Sequence, residues 1–266
     1  MIFYFSGTGN SKYVAESLSE LIQDSLEFIP DVTWKRDFDN RDMGIVFPVY
    51  SWGVPTIVLN FIKSIPSIIR DKMKSENKKI WCVMTCGDEV ALAPEMFLQC
   101  LKDCDIEALS IWSVTMPNNY VLLPGFDVDK NSIEDEKLAL CKKRIENVSQ
   151  GILSRSETID VVRGGMPWIK TKIVYPLFKK WGIFTSKWHY TDKCISCGKC
   201  EEICPLHNIS MKEKHPEWNE NCCSCLGCYH ICPTHAVAYG KETKKKGQYF
   251  LFSKREGDSI IFRKIS

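Results

Sequence analysis

Ile2-Phe3-Tyr4-Phe5-Ser6-Gly7-Thr8-Gly9-Asn10-Ser11 passes from an apolar strand, through a loop of glycines and hydroxyls, into a helix whose pattern runs from Ser11 to Gln23. A strand that hands a glycine-rich turn to a helix N-terminus is the opening unit of an α/β sheet. Ligands of such sheets sit at the carboxyl ends of the strands. The glycines permit a sharp turn and close backbone approach. The helix start offers free N–H groups and its positive dipole end to a phosphate. Ser6, Thr8 and Ser11 add hydroxyl donors without formal charge. A Walker A loop would need a terminal Gly-Lys-Ser/Thr, which is missing. A dinucleotide fingerprint would need a third glycine at position 12, where Lys12 stands.

Outward from that loop, strand patterns recur at Ile2–Phe5, Leu26–Ile29, Met43–Phe47, Ile80–Met84 and Ile106–Val114. Helix patterns alternate with them at Ser11–Gln23, Val54–Lys63, Ala91–Lys102 and Ile133–Leu153. Alternating βα units imply a parallel sheet covered on both faces, here five strands in the doubly wound order 2-1-3-4-5. The crossover Asp31–Asp42 is short and polar, so its helix is expected to be stunted or absent. The texture changes near Thr158. The expected division is an α/β domain at 1–157, an aromatic and basic connector at 158–189, a cysteine-rich domain at 190–240, and a tail at 241–266 packed on the body.

Eight cysteines fill the third segment. Cys194, Cys197, Cys200 and Cys204 follow C-x2-C-x2-C-x3-C with Pro205 next, and Cys222, Cys225, Cys228 and Cys232 repeat it with Pro233 next. The two runs start 28 residues apart, an internal duplication of one loop-and-helix unit. This spacing is the ligand pattern of a bacterial-type ferredoxin with two [4Fe–4S] clusters, in which the fourth cysteine of each run crosses to the other cluster. By that rule Cys194, Cys197, Cys200 and Cys232 hold one cluster, and Cys222, Cys225, Cys228 and Cys204 hold the other. Paired zinc knots compete, but they use neither the third cysteine nor the proline. Cys82, Cys86, Cys100, Cys104, Cys141 and Cys223 show no ligand spacing as a group and read as buried inert thiols. The five histidines do not cluster with carboxylates and read as surface or packing residues.

The N-terminal loop resembles the flavodoxin loop, [TS]-x-T-G-N-[TS], at every position from Ser6 through Gly7, Thr8, Gly9, Asn10 and Ser11. That resemblance implies FMN as the cofactor. Two further segments follow strands where flavodoxins place their isoalloxazine loops: Pro48-Val49-Tyr50-Ser51-Trp52-Gly53-Val54-Pro55 and Thr85-Cys86-Gly87-Asp88. Tyr50 and Trp52 are candidates to stack on the flavin, with plain core packing as the alternative. Gly53 or Gly87 is a candidate for a peptide that reorients with the flavin's redox state. Cys86 reads as a small loop residue beside the ring. Met116-Pro117-Asn118-Asn119-Tyr120 ends the fifth strand; Asn118 and its neighbours contact flavin, substrate or the cysteine domain, or serve as ordinary turn chemistry.

With both halves in view, the chain resembles the fused flavodoxin–ferredoxin proteins of anaerobes, the EFR-type ferredoxins. The resemblance covers nearly the whole length and implies a flavodoxin-like sheet plus a small α+β ferredoxin domain. It departs at Pro205-Leu206-His207-Asn208, where ferredoxins often carry Pro-x-Gly-Ala, and at Cys223 beside Cys222. It implies FMN and two [4Fe–4S] clusters exchanging electrons, with no catalytic residue assigned. The expected activity is an oxidoreductase with a small-molecule acceptor at the flavin; the alternative is a non-enzymatic carrier between redox proteins. Expected partners are a ferredoxin-like donor or acceptor protein, a small-molecule acceptor, or both. The net charge of +2 is too small to imply nucleic acid. No secretory segment opens the chain and no apolar run has spanning length, so a cytoplasmic location is expected. The stretch Trp168–Tyr190 suits either a membrane surface or an interdomain seam; Pro176 is expected to split any helix there, which favours the seam. Lys244-Lys245-Lys246 reads as a solvated turn or a docking patch.

Overall fold

The computed structural model describes residues 1–34, 41–181, 184–256 and 259–265. Strand β1 (Ile2–Tyr4) leads into α1 (Asn10–Ile22), and β2 (Leu26–Phe28) runs parallel beside β1. A single 3-10 turn, Ile29–Asp31, opens the short crossover. The rest of that crossover, expected to lack a full helix, lies outside the described residues at 35–40. Next come β3 (Met43–Pro48), α2 (Thr56–Ser64), α3 (Ser67–Ser75), β4 (Ile80–Cys86), α4 (Ala93–Asp103), β5 (Ala108–Thr115) and the long α5 (Asn131–Leu153). The sheet order is β2-β1-β3-β4-β5 with all neighbours parallel, the doubly wound order read from the sequence.

A sixth strand, β6 (Ile159–Asp160), extends the sheet beyond β5. Two residues carry no alternating pattern, so the sequence does not announce it. Arg144 on α5 fixes it, donating to Asp160 Oδ2 at 2.6 Å and to Ser113 O at 3.0 Å.

Both faces of the sheet are apolar because both are covered. All seven residues of β4 are buried. On one face Phe3, Phe5, Ile45, Phe47 and Met84 pack against Val58, Phe61 and Ile62 of α2 and Phe97 of α4. On the other, Ile2, Val46, Trp81, Val83 and Trp112 pack against Val14 and Leu18 of α1 and Ile145 and Val148 of α5.

After β6 the chain makes one continuous helical rod at 167–181. It comprises α6 (Pro167–Ile169), a π turn (Lys170–Val174) and α7 (Tyr175–Trp181). Pro176 therefore does not split the helix. The wider π turn ends just before it and absorbs the N–H and ring clash that proline imposes on an α-helix.

The cysteine-rich part is small and follows its duplication. It contains β7 (Trp188–Tyr190), α8 (Lys199–Glu202), the hairpin β8 (Ile209–Lys212) and β9 (His215–Trp218), α9 (Gly227–Ile231) and β10 (Val237–Tyr239). Strand β10 returns antiparallel to β7. Its core is not closed on itself: Val121 and Leu122, from the loop after β5, lie in it with Trp188, Tyr229 and Val237. His230 is fully buried at this join. Its Nδ1 accepts the Tyr249 N–H at 3.1 Å, so its Nε2–H donates to Asn119 O at 2.8 Å. Burial lowers its pKa to about 4, which keeps the ring neutral. The tail forms the antiparallel hairpin β11 (Phe250–Glu256) and β12 (Ser259–Ile265).

Candidate functional site

The carboxyl ends of β1, β3 and β4 open into one cleft of about 660 Å3, its mouth included. The N-terminal loop supplies Ser6, Gly7, Thr8, Asn10 and Ser11 to its wall. The end of β3 and the loop after it supply Pro48, Val49, Tyr50 and Ser51; the end of β4 and its following loop supply Thr85, Cys86 and Gly87. The remaining wall comes from Pro117, Asn119 and Tyr120, from Phe178 of α7, and from Ser224, Cys225 and Leu226 of the second cysteine run.

The hydroxyls of the loop after β1 are already oriented. Ser6 Oγ accepts the Gly9 N–H at 3.2 Å, and Thr8 Oγ1 accepts Asn119 Nδ2 at 2.5 Å. Each therefore keeps its O–H free to donate. Ser11 and Thr85 share one hydrogen bond at 2.7 Å, which leaves the pair one further O–H. The first N–H groups of α1 have no intrahelical acceptors. This donor set suits a phosphate monoester. Three buried oxygens around the cleft, Tyr50 Oη, Tyr120 Oη and Ser224 Oγ, have no hydrogen-bond partner among the described residues. Each such orphan costs about 1–3 kcal/mol, and a polar planar guest would offset it. The residues present fit FMN: hydroxyls and helix N–H groups at one end, aromatic walls and orphaned donors at the other.

Five residues singled out from the sequence do not line this cleft. Gly9 faces the tail instead: its φ is +96°, and a Cβ there would overlap the Leu251 carbonyl. Trp52 turns outward, donating its indole N–H to Glu89 Oε1 at 3.0 Å and carrying Lys170 Nζ 5.4 Å above its ring. Ser51 and Trp52 both adopt positive φ, 47° and 62°, in a tight turn closed by reciprocal Tyr50–Gly53 bonds at 3.0 Å. That turn swings the indole away; a glycine at either position would be unstrained. The Tyr175 ring fills the space beside Gly53. Asp88 pairs with Lys137 at 3.4 Å. The Asn118 backbone N–H donates to Asp129 Oδ2 at 2.9 Å while its side chain fills the space beside Gly87. Tyr50 does reach the cleft. Its ring meets Phe5 edge-on at 6.4 Å, and burial, with Cys225, Cys223 and Cys222 nearby, holds its phenol protonated.

The two cysteine runs are held in matching ways. Asn208 N–H donates to Cys204 Sγ and Ala236 N–H to Cys232 Sγ, both at 3.2 Å and both from four residues downstream. Ser196, Ser224 and Leu226 take positive φ, and the Ser224 N–H donates to Cys222 Sγ at 3.4 Å. The thiols fall into two neighbourhoods. Cys200 feels Cys232 and Cys197. Cys228 feels Cys225, Cys222 and Cys204. Among the described residues no three His, Cys, Asp or Glu side chains converge as a single ion requires. Cys223 hydrogen-bonds Cys225 from outside this set.

The helix at 167–181 is seated on the sheet domain through one side. Lys170 pairs with Glu89. Thr171 accepts the Leu92 N–H at 3.0 Å and donates to Trp52 O at 2.8 Å; Tyr175 donates to Val54 O at 2.5 Å. Tyr175→Ala is expected to cost about 3–5 kcal/mol by leaving a cavity beside Gly53. Tyr175→Phe should cost only about 1 kcal/mol, the lost hydrogen bond. Calorimetric midpoints of anaerobically purified protein would separate the two; equal small shifts would show that the seam bears little load. In the tail, Lys244 and Lys245 are exposed in a turn, and Lys246, half-buried, donates its Nζ to Leu123 O at 2.6 Å and to Phe126 O.

Phe178, Ser224 and Leu226 carried no sequence signal as cleft residues. They come from segments far from the loops they join, and only the fold assembles them.

Comparison with curated proteins returned no match. Among solved structures, the Trp repressor binding protein from Bacillus subtilis is similar over 58% of this chain and 97% of its own, at 14% identity and a TM-score of 0.41. That similarity carries no argument here; the fold rests on strand order and register. Residues 193–237 match the 4Fe-4S dicluster domain, so the cysteine-rich part of this chain is a ferredoxin-type iron–sulfur domain.

Proposed function

We propose that the chain is an electron-transfer oxidoreductase holding FMN in the cleft and two [4Fe–4S] clusters on the cysteine runs, and that electrons pass between them within one molecule. One observation carries this reading: Cys225, a ligand in the second run, is itself a wall of the cleft. Gly7 lies so close to it that a Cβ would overlap the Cys225 carbonyl. FMN, when bound, supplies a centre that exchanges one or two electrons and so links single-electron carriers to two-electron chemistry. The chain's share is to bind, orient and tune.

The two runs differ in exposure. Ile195 is 62% exposed and Cys197 is also exposed, while Leu226 and Cys228 are buried. The outer cluster (Cys194, Cys197, Cys200, Cys232) is then the port for a redox protein, and the inner cluster (Cys222, Cys225, Cys228, Cys204) the step beside the flavin. An enzymatic end point is supported by a second cavity of about 870 Å3. It shares Tyr50 and Phe178 with the flavin cleft and is otherwise lined by groups such as Asn60, Asn221 and Lys179. The carrier reading draws on Phe178 and the cysteine loop, which cover part of the cleft.

The expected composition is about eight irons and eight sulfides, from two cubanes, with one heat-releasable FMN. Stoichiometric zinc without sulfide would end the cluster assignment. Rapid anaerobic mixing with a one-electron reductant should bleach flavin and clusters together, at a rate independent of protein concentration. A flavin rate that scales with protein concentration would place the transfer between molecules.

A further inference from the structure

The rod at 167–181 has two apolar sides and only one is used. Thr171, Tyr175 and Phe178 face the protein. Ile169, Ile173 and Leu177, spaced four apart, face solvent, and each is 44% exposed. Met166 and Trp168 precede them at 69% and 60% exposure. A helix apolar on opposite sides needs a second apolar environment.

The charge around it has one sign. From Val161 to Tyr190 there are six basic residues and no acidic one, in a chain whose net charge is +2. Arg163 pairs with Glu95, Lys170 with Glu89 and Lys187 with Glu242. Lys172 is exposed beside the apolar side, and Lys179, also exposed, carries its Nζ 5.9 Å over the Tyr175 ring at the flank of the seated side.

We infer that this helix is a docking surface for an anionic lipid bilayer. The apolar side enters the headgroup boundary, the indole of Trp168 lies at the interface, and Lys172 and Lys179 reach back to lipid phosphates. Among the described residues no helix is long and apolar enough to cross a membrane, so the contact is a surface one. A second copy fits the patch less well. A two-fold contact through this helix would bring its lysines near those of the other copy, and the segment has no acidic residue to meet them. Phe178 and Lys179 also line the second cavity, so docking sets that cavity's mouth beside the lipid.

The test is sedimentation of the full anaerobically purified chain with vesicles of phosphatidylcholine alone, or of equal parts phosphatidylcholine and phosphatidylglycerol. Binding is expected to the mixed vesicles only, and to weaken with salt. Lys172→Gln and Lys179→Gln should each weaken it by about fivefold. Ile173→Glu combined with Leu177→Glu should abolish it, while Ile68→Glu, at a still more solvent-facing apolar site on α3, should leave it unchanged. Iron content and far-ultraviolet dichroism matching the parent protein would show that the variants are folded. The readout needs no flavin chemistry, so it stands or falls separately from the proposed activity. Failure to bind mixed vesicles overturns the inference, as does equal binding by the double variant. A dimer that Ile173→Glu dissolves, without vesicle binding, would assign the patch to a second copy. A monomer without vesicle binding would assign it to a protein partner.

Discussion

Cys204→Ala is expected to remove about four of about eight irons and, with them, the cluster beside the flavin. The crossed assignment makes this outcome specific. Cys204 sits in the first run, yet its thiol lies among Cys222, Cys225 and Cys228. Losing it should leave the exposed cluster spectroscopically intact while flavin reduction slows sharply, because the intermediate step is gone. Cys232→Ala should do the reverse: the inner cluster stays, and reduction by an external protein fails. Cys223→Ser should leave iron and sulfide at the parent level, since the serine hydroxyl can still hydrogen-bond Cys225. Were Cys204→Ala to destroy the outer cluster instead, each run would be binding its own cubane and the crossed assignment would be wrong.

Gly7→Val should separate the two halves functionally. The added side chain would overlap the Cys225 carbonyl and lie 2.7 Å from the Cys225 Cβ, so either the phosphate loop or the cysteine loop must move. Overpacking of this kind costs about 1–3 kcal/mol, which is roughly a ten- to hundredfold loss in FMN affinity at 1.4 kcal/mol per decade. Iron content should persist, because none of the eight ligand cysteines is altered. Fluorescence titration with FMN checks the affinity, and anaerobic mixing checks the coupling. Parent-level affinity in this variant would mean that the loop does not hold the phosphate. Gly9→Val should be harsher, since it both violates a left-handed backbone and strikes the tail at Leu251.

The central strands β1, β3, β4 and β5 are legible because they are buried on both faces and so read as unbroken apolar runs. Helix α3 is not, because Met73 is its only fully buried residue and no apolar stripe forms. Strand β6 is too short to have a period. The cysteine runs are legible to the residue, since metal–ligand spacing is local in sequence. The cleft is half legible. Its three loops lie directly after strands, where an α/β sheet always presents ligands. Its lid, Phe178 with Ser224 and Leu226, is a tertiary product. Trp52 misleads because its aromatic character is visible in the sequence, whereas the positive φ of Ser51 and Trp52 that turns it outward is not.

The phosphate loop is also fastened by the tail. Leu251 N–H donates to Thr8 O at 2.9 Å, and the fully buried Tyr249 donates to Asn10 Oδ1 at 2.7 Å across a separation of 239 residues. A ribosome adds roughly 5–20 residues per second, so the loop made first waits on the order of 10 to 50 seconds for the residues that brace it. All eight cluster cysteines emerge during that interval. The cleft's far wall is therefore made before the loop after β1 is braced, which sets an order of maturation under the proposed function: the cysteine runs are complete first, and capture of the proposed flavin waits for the last strands.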